Sequence, residues 1–398
     1  MVVTDRKTEE KYNPLRILML GAGLDVQGGI TSVEKLMLEN VPTGLQIRHV
    51  STFVKGSPGL NIKTYLQAIS TLVQVLLRRE VDIVHIHFSE RGSTLRKFNL
   101  ALITLIFRQP LVLHCHGATY QEFYAQLPQL GKFLITTVFS KCSKFIALSS
   151  NWRDFCVDKF NLRPEQAVVM LNPVMLPPNI PDRTDRTGVN FVFLGRIGNR
   201  GGALDAVSSF PQQDKGAFDL IRAFAALPVA DRQRAKLAIA GNGEIAAAQQ
   251  LITELGIADR VTIHAWLNPT QRDQLLAASD AFVLPSYHEG LPMSMLEAMA
   301  WELPVIVTPV GGIPEVVTTR ENGLLVTPGN QAELRDALHQ LIEDPILRSS
   351  LAQAGRETVQ SLTIDSYMMK MIGLYTTIIA THQQRHLRPE DITSIPSA

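Results

Sequence analysis

The 398-residue chain has few cysteines and no long apolar run. Its three cysteines, Cys115, Cys142 and Cys156, are an odd number in the first half, which argues against a disulfide framework and for a reducing compartment. No apolar stretch approaches the roughly 20 residues that a membrane span needs. The first ten residues are polar and do not read as a signal peptide. These absences predict a cytoplasmic protein that does not cross a membrane.

A complete dinucleotide fingerprint is also missing. After an apolar strand pattern, Gly21-Ala-Gly23 opens a glycine-rich turn, but the third glycine of the fingerprint would fall on Val26. The turn closes with Gly28-Gly29 before a helix predicted over residues 30–38. Such a turn brings backbone close to a phosphate, and a tight turn without a ligand is the other interpretation. The pattern therefore gives little support to NAD.

Strong charge of one sign is absent overall, but the two halves differ. Residues 1–188 carry 22 Lys and Arg against 15 Asp and Glu, a net charge of +7, and residues 189–398 carry 16 against 22, a net charge of −6. A basic half suits an anionic partner such as a membrane surface, and dispersed surface charge is the alternative. An apolar helix predicted over residues 95–107 has basic flanks, so it either lies against a membrane surface or covers a sheet.

Short apolar runs alternate with helical patterns through both halves, which predicts an α/β fold with parallel sheets. At this length the chain should hold two domains, each with its own core. A segment rich in proline and charge, residues 172–187, is typical of an interdomain linker. The predicted domains span residues 14–175 and 189–365.

The most informative stretch is residues 286–300, SYHEGLPMSMLEAMA. It follows an apolar strand pattern and leads into a helix near Pro292, so Glu289 lies on the loop and Glu297 about a turn and a half into the helix. The backbone N–H groups at such a helix start favour an anion. Two carboxylates beside an anion pocket suit a ligand with phosphate in the middle and hydroxyls at both ends, as in a nucleotide-sugar. Two solvated glutamates on a surface helix are the plainer alternative.

The residues after this helix extend the pattern, with a buried strand over residues 303–308, then Gly311-Gly312 and Asn322-Gly323. The series resembles the donor half of family 4 retaining glycosyltransferases, whose mark is two glutamates separated by seven residues. Here those are Glu289 and Glu297. The resemblance implies the GT-B architecture, with two Rossmann-like parallel-sheet domains facing across a cleft. It also implies that a helix over residues 366–382 returns to the first domain.

The resemblance further implies roles for individual residues. Glu289 would hold the sugar hydroxyls, Glu297 the ribose hydroxyls, and Gly28-Gly29 would face the donor phosphates. His116, which precedes Gly117, would face the reacting sugar. The predicted catalytic residues are His116, Glu289, Arg196 and Lys215, and the predicted donor-binding residues are Gly28, Gly29, Arg196, Lys215, Gly290, Leu291 and Glu297.

One departure from the family pattern concerns the cations that grip the donor diphosphate. Gly195-Arg196 matches the family, but the expected Lys-Gly does not follow within a few residues. Residues 201–214 are interpreted as an insertion at the mouth of the cleft, which makes Lys215-Gly216 the equivalent pair. The alternative uses Arg200-Gly201 instead. Either cation can meet a diphosphate, Lys as a point charge and Arg as a planar fork.

No metal and no cofactor are expected. His85, His87, His114 and His116 form two His-X-His pairs on adjacent predicted strands, which match a metal-ligand set poorly, and no Asp-X-Asp triplet occurs in the chain. Core histidines bonded to backbone are the plainer interpretation, above all for His114. Positive charge from Arg196 and Lys215 would then stabilise the departing diphosphate in place of a metal.

The predicted function is retaining transfer of a sugar from a UDP- or GDP-sugar to a glycan or a lipid-linked acceptor, in the synthesis of cell-surface or exported polysaccharide. Peripheral contact at the inner face of the plasma membrane is expected through the basic first domain, and nucleic acid is not an expected partner. Two alternatives stay open: a sugar-nucleotide epimerase or hydrolase on the same architecture, and a non-catalytic protein that binds sugar nucleotides or carbohydrate.

Overall fold

The computed structural model of the chain describes residues 14–184, 186–198 and 215–384. Within them, two parallel sheets of six strands each are covered by helices on both faces. The predicted α/β class and the two Rossmann-like domains are therefore confirmed. Arg200 and the predicted insertion at residues 201–214 lie outside the described residues, and the exact domain limits stay a prediction.

The first sheet has the strand order β2-β1-β3-β4-β5-β6, with every neighbouring pair parallel. Its central strands are buried on both faces. Because both faces of such a strand need apolar side chains, these strands are largely continuous aliphatic runs in the sequence. The strands are β1 Leu15–Gly21, β2 Leu45–Ser51, β3 Ile83–Phe88, β4 Leu111–Cys115, β5 Lys144–Ala147 and β6 Ala167–Val169.

Six helices connect these strands. The helix predicted from residue 95 begins earlier, and the one predicted over residues 30–38 is longer by one residue at each end. The helices are α1 Gly29–Glu39, α2 Pro58–Leu77, α3 Gly92–Ile106, α4 Tyr120–Gln126, α5 Gln129–Phe139 and α6 Ser150–Phe160.

The second sheet has the order β12-β11-β10-β7-β8-β9 and is also parallel throughout. β10 lies between β7 and β11, so the loop after β10 opens near the middle of the sheet. The strands are β7 Val189–Leu194, β8 Ala235–Ala240, β9 Val261–His264, β10 Ala281–Leu284, β11 Val305–Val307 and β12 Leu324–Leu325.

The helices of the second half complete the same pattern. They are α7 Ala217–Ala225, α8 Val229–Arg234, α9 Ile245–Glu254, α10 Pro269–Ala278, α11 Met293–Ala300, α12 Gln331–Glu343, α13 Pro345–Val359 and α14 Ile364–Gln384. The structure begins α11 at Met293 and makes Pro292 its N-cap, whereas the sequence pattern placed Pro292 at the first helical position. Glu297 still lies inside this helix, as predicted.

The last helix, α14, packs on the first domain. Its buried side chains, including Met371 and Tyr375, share one hydrophobic cluster with Ile17 and Met19 of β1. The chain crosses between the domains twice, and the two crossings pair where Val174 forms a bridge with Thr363. Burying a large apolar side chain completely stabilises the fold by about 1.5–3 kcal/mol relative to leaving it exposed. The buried side chains of α14 therefore hold this helix against the first sheet.

No helix among the described residues combines the length and the apolar character that crossing a membrane requires.

Candidate active site

A cleft of about 900 Å³ lies between the two domains, where the carboxyl ends of both sheets face each other. This volume suits a ligand of nucleotide-sugar size. All nine predicted site residues line the cleft. The first domain contributes Gly28, Gly29 and His116, and the second contributes Arg196, Lys215, Glu289, Gly290, Leu291 and Glu297.

Two helix N-termini meet the cleft. α1 begins at Gly29 in the first domain, and α11 begins at Met293 in the second, and neither has a side-chain cap at its start. The first backbone N–H groups of a helix have no partner inside the helix, and its dipole places partial positive charge there. The cleft therefore offers backbone donors to an anion from both walls.

Glu289 is held by three neighbours on the second wall. Ser286 Oγ donates to Glu289 Oε1 at 2.8 Å, and Lys215 Nζ lies 2.8 Å from the same oxygen. Lys215 Nζ also donates to the backbone carbonyl of His288 at 3.2 Å. Both members of the ion pair are mostly buried, so the carboxylate has one fixed orientation. Lys215, two residues before α7, therefore lies beside Glu289.

Two glycines let the surrounding segments approach this loop. Gly216 has a φ of +71°, and a Cβ there would lie 2.2 Å from the carbonyl oxygen of Pro285. Gly311 has a φ of +59°, and its Cβ would lie 1.9 Å from the carbonyl oxygen of Glu289. Any side chain at either position would push the Glu289 loop away. This explains the glycine after Lys215 and the first glycine of the Gly311-Gly312 pair.

Glu297 forms a second ion pair on the same wall. Arg272 Nη1, from α10, donates to Glu297 Oε1 at 2.6 Å. Burial raises the pKa of Glu297 to about 7, against the opposing effect of Arg272. The carboxyl therefore changes its protonation near neutral pH, and only its ionised form is a pure hydrogen-bond acceptor.

Arg196 lies just after β7, at the carboxyl end of a central strand of the second sheet. The backbone N–H of the preceding Gly195 donates to the carbonyl oxygen of Ala240 at 3.0 Å, which continues the sheet pairing up to the cleft. This fixes the backbone that carries Arg196, while its side chain lines the cleft. Arg200, the alternative diphosphate cation, lies outside the described residues.

His116 is the predicted site residue of the first wall that can ionise. It follows β4, is partly exposed to the cleft, and lies with its Nε2 3.0 Å from Nδ1 of His87. Burial lowers the pKa of His116 to about 3. The imidazole is therefore neutral over the physiological range, and it offers the cleft a hydrogen-bonding group without charge.

Behind His116, three fully buried histidines, His85, His87 and His114, place one nitrogen each within 4.8 Å of one another. Burial lowers the pKa of all three, so they are neutral imidazoles, the form that binds metal. His85 Nδ1 is bonded to the Tyr375 hydroxyl at 2.7 Å. Among the residues that the structure describes, these three form a group that could hold a metal ion, so the metal-free site stays a prediction.

The two walls are linked directly at the cleft. Asn242 Nδ2 in the second domain donates to Gln27 Oε1 in the first at 2.7 Å, and Asn172 Nδ2, beside the linker, donates to the Leu291 carbonyl at 2.8 Å. Ser150, at the start of α6, bonds the Glu315 carboxylate through its backbone N–H and its hydroxyl. The two domains are therefore in direct contact beside the cleft.

Sequence reasoning missed several residues that shape the site. Arg272 is 25 positions from its partner Glu297, and nothing in the local pattern of α10 marks it. Gln27 and Asn242 are ordinary loop amides, 215 positions apart. A signal was available for Ser286, because it stands three residues before Glu289 at the end of a buried strand.

Two family descriptions match consecutive parts of the chain. "Glycosyltransferase Family 4" matches residues 34–176, and "Glycosyl transferases group 1" matches residues 206–358. The first match covers five of the six strands of the first sheet, and the second covers five of the six strands of the second sheet.

Curated relatives agree with these matches. UDP-Gal:alpha-D-GlcNAc-diphosphoundecaprenol alpha-1,3-galactosyltransferase of Escherichia coli is 24% identical over 332 residues, which is 79% of this chain and 80% of the relative. N-acetyl-alpha-D-glucosaminyl L-malate synthase of Bacillus anthracis is 35% identical over 173 residues, 43% of each chain. The match of higher identity is thus the shorter one.

Solved structures show the same fold. The Anabaena protein Alr3699/HepE, in a crystal structure with UDP, has a TM-score of 0.68 at 19% identity, covering 91% of this chain and 100% of that one. Sucrose-phosphate synthase of Thermosynechococcus elongatus has a TM-score of 0.71 at 17% identity, covering 92% and 100%. Two parallel-sheet domains, a cleft lined by the predicted residues and these matches lead to one conclusion: the chain belongs to the family 4 glycosyltransferases with the GT-B fold, and it is a glycosyltransferase.

Proposed function

We propose that the protein transfers a sugar from a UDP- or GDP-sugar to a glycan or lipid-linked acceptor, with retention of anomeric configuration and without a metal ion. The observation that carries this proposal is the Lys215–Glu289 ion pair at 2.8 Å, on the cleft wall that also presents Arg196 and the start of α11. This wall combines fixed positive charge with a fixed carboxylate, as a negatively charged diphosphate joined to a sugar requires.

The cationic groups account for the diphosphate end of the reaction. When the bond between the sugar and the diphosphate breaks, negative charge grows on the departing phosphate oxygen. Lys215, Arg196 and the backbone donors of α11 are already oriented, so they stabilise that charge without reorganisation. In this proposal, they perform the task that a divalent ion performs in metal-dependent transferases.

The two glutamates account for the hydroxyl-bearing ends of the donor. Glu289, oriented by Ser286 and Lys215, accepts hydrogen bonds from hydroxyls of the sugar, and Glu297 accepts them from the ribose. His116 faces the sugar from the opposite wall. Retention follows if the acceptor oxygen attacks the face from which the diphosphate leaves, with the acceptor proton passing to the departing phosphate oxygen.

The acceptor proposal draws on a relative and on the surface. The name of the Escherichia coli relative states a UDP-galactose donor and an acceptor carried on diphosphoundecaprenol. We extend a lipid-linked acceptor of that class, and a role in cell-surface polysaccharide synthesis, to this chain. The substrate would then be embedded in a membrane, which requires the enzyme to reach the membrane surface.

One face of the first domain suits that contact. α3 contacts both α2 and α5, and each of the three helices exposes large apolar side chains. Ile106 on α3 is 69% exposed, Phe133 on α5 is 66% exposed and Ile62 on α2 is 61% exposed. Lys63 and Arg108 are exposed on or next to these helices. Apolar side chains among basic ones are typical of a surface that binds anionic lipid.

Sugar transfer is tested by incubating the protein with UDP- and GDP-sugars and a polyprenyl-diphosphate-linked sugar in excess EDTA, and by identifying the product anomer by NMR at early times. We expect one donor to be used with retention, and Lys215→Ala to lower kcat by about 10²–10³. Inversion would contradict the retaining mechanism, and activity that depends on added metal would contradict the metal-free site.

Membrane contact is tested separately by vesicle flotation with anionic and neutral lipid vesicles. We expect binding to anionic vesicles that is lost in the double variant Ile106→Ser/Phe133→Ser. Ile346, which is 81% exposed on α13 of the second domain, provides the matched control Ile346→Ser, which should still bind. Equal flotation of both variants, or none of the wild type, would remove the membrane proposal and leave sugar transfer intact.

A further inference from the structure

His116 has a partner inside the first domain that the proposed reaction does not yet use. Nδ1 of His87, on β3, lies 3.0 Å from Nε2 of His116. The two ring planes are within 14° of parallel, with centroids 5.2 Å apart. The centroid separation exceeds the nitrogen separation by about two ring radii. The rings therefore meet edge to edge, which is the geometry of a hydrogen bond in the ring plane.

The sheet register places these two rings together. β3 and β4 are parallel, His87 is aligned with His114, and His116 follows two residues later on the same face. The backbone N–H of His116 donates to the carbonyl oxygen of Phe88 at 2.8 Å, so the pairing continues past the end of β4. His87 is fully buried, whereas His116 is partly exposed to the cleft. The pair therefore connects the core of the domain to the cleft.

The direction of the hydrogen bond depends on which nitrogen of His87 carries the proton. Burial holds the pKa of His87 well below its ordinary value, so the ring is neutral and has a single N–H. Oε1 of the fully buried Glu34, on α1, lies 3.9 Å from Nδ1 of His87. Negative charge beside Nδ1 favours the proton on that nitrogen.

Other groups around Glu34 complete this buried cluster. Glu34 Oε2 lies 3.5 Å from Nε2 of His49, and Lys97 is close enough for an electrostatic interaction with Glu34. Lys97 Nζ donates to the carbonyl oxygens of Leu20 and Gly21 at 2.7 and 3.1 Å, which fixes it near the end of β1. Burial lowers the pKa of Lys97 to about 7. Of the charged groups near His87, Glu34 is thus the one that attracts the Nδ1 proton.

We propose that His87 is a positioning residue for sugar transfer: it donates its Nδ1–H to Nε2 of His116, so that His116 carries its own proton on Nδ1. His116 then offers an N–H donor to an oxygen of the donor or acceptor sugar. This inference rests on the proposed role of His116 opposite the sugar. The opposite proton arrangement would make His116 an acceptor, and it would reverse which sugar oxygen the residue can bind.

The chemical test compares two substitutions of His87. In His87→Asn, the side-chain amide nitrogen can occupy the position of Nδ1 and keep the donor, whereas the amide of His87→Gln corresponds to Nε2 and loses it. We expect His87→Gln to lower kcat about 100-fold with little change in donor KM, because a misplaced catalytic group costs about that much. We expect His87→Asn to stay within about threefold of wild type, since its donor is retained. Equal losses in both variants, or no loss in either, would overturn the proposal.

His114 provides the control for a structural effect. It is fully buried on β4, and its ring centroid is 4.0 Å from that of His116. Among the described residues its ring nitrogens have no hydrogen-bond partner. His114→Gln should therefore change stability but not kcat. A loss of kcat in His114→Gln equal to that in His87→Gln would mean that any disturbance of this layer has the same effect, and it would contradict a specific role for His87.

A spectroscopic measurement tests the proton position without relying on activity. In protein labelled with ¹⁵N-histidine, protonated and unprotonated nitrogens of a neutral imidazole have different chemical shifts, and His116→Asn identifies the His116 signals. We expect His116 to carry its proton on Nδ1 in the wild type and to lose this preference in His87→Gln. A proton on Nε2 would overturn the inference. Full activity in His116→Asn would instead refute the proposed role of His116, which is a different outcome.

Discussion

The ionisable site residues on the two walls of the cleft are held in opposite ways. On the second-domain wall, Glu289 and Glu297 are each paired with a cation, Lys215 at 2.8 Å and Arg272 at 2.6 Å. On the first-domain wall, burial lowers the pKa of His116 to about 3, and the imidazole meets the cleft uncharged.

This difference matches the part of the donor that each group is proposed to meet, the diphosphate for the second-domain cations and the sugar for His116. A diphosphate carries charge, so it requires cations that are already oriented, and removing one of them affects the transition state directly. A sugar carries only hydroxyls, so a neutral donor or acceptor at the right position suffices, and a charged imidazole would be costly to bury.

The largest expected effect is on the charged wall. Lys215→Ala should lower kcat by about 10²–10³, because it removes a fixed charge that stabilises the leaving diphosphate. Glu289→Gln should likewise remove most turnover, since it loses the Lys215 pair and the sugar contact together. Steady-state kinetics with saturating donor and acceptor provide the measurement.

Lys236 on β8 is the matched control for Lys215, because it is an exposed lysine of the same domain. Lys236→Ala should have wild-type kinetics. Wild-type turnover in Lys215→Ala, combined with loss in Arg200→Ala, would show that Arg200 is the diphosphate cation and that residues 201–214 were misinterpreted.

A smaller effect is expected at Glu297, and it should appear in binding. Glu297→Ala should raise the donor KM about 10- to 100-fold with a modest change in kcat, the range expected for hydrogen bonds to a charged group. Burial raises the pKa of Glu297 to about 7, so the carboxyl takes up a proton as the pH falls below that value. The donor KM of the wild type should therefore rise from pH 8 to pH 6.

Glu297→Gln distinguishes this pH effect from others. An amide does not titrate in this range, so its donor KM should be high and independent of pH. A pH dependence equal to that of the wild type would assign the titration to another group.

Much of the fold and part of the site were predictable from the sequence. The buried strands were recognisable as aliphatic runs, and Glu289 and Glu297 were identified because a strand, a loop and a helix follow each other within twenty residues. Lys215 was identified through the family resemblance, and it was preferred to Arg200 because the helix after it has the better pattern. In each case the chemistry lies within a short segment whose local structure the residues themselves determine.

The contacts between distant segments were not predictable in this way. Tyr375 bonds His85 across 290 positions, and the His87–His116 pair depends on the register between β3 and β4. Periodicity shows which face of a strand is buried, but it does not reveal which residue of another element lies opposite. The positive φ of Gly311 is likewise imposed by the Glu289 loop that packs against it.

The buried histidines of the first domain should affect stability in acid. The pKa values of His85 and His116 are lowered by burial to about 3, and those of His87 and His114 lie well below the ordinary 6.5. Below pH 6.5 these histidines therefore bind protons in the unfolded chain but stay unprotonated in the folded protein. The free energy of unfolding consequently falls as the pH falls. Each such histidine should lower the free energy of unfolding by about 1.4 kcal/mol between pH 7.5 and 5.5.

Urea titrations of His114→Leu and of Val112→Ala test this assignment. His114→Leu should lose about 1.4 kcal/mol of the acid effect, because one buried histidine is gone. Val112→Ala should be less stable at every pH with the full acid effect, since Val112 packs on the same face of β4 and does not titrate. The same acid effect in both variants would contradict the assignment of this effect to the buried neutral histidines.

The smallest expected effect is that of metal removal. Dialysis against EDTA should leave kcat unchanged within about twofold, because fixed cations supply the charge that a metal would otherwise provide. Metal analysis of the protein as purified should also find less than one equivalent of transition metal. A full equivalent that disappears in His114→Leu would show that His85, His87 and His114 form a metal site.

The most direct test of the central claim is a donor titration by thermal unfolding, with UDP- and GDP-sugars in excess EDTA, of the wild type and Arg196→Ala. A ligand that binds only the folded state at 100 times its Kd stabilises it by about 2.7 kcal/mol. We predict that one of the two nucleotides raises the Tm of the wild type without metal and raises that of Arg196→Ala much less. A rise in Tm that requires a divalent ion, or an equal rise in both proteins, would contradict the claim that fixed cations bind the donor diphosphate without a metal.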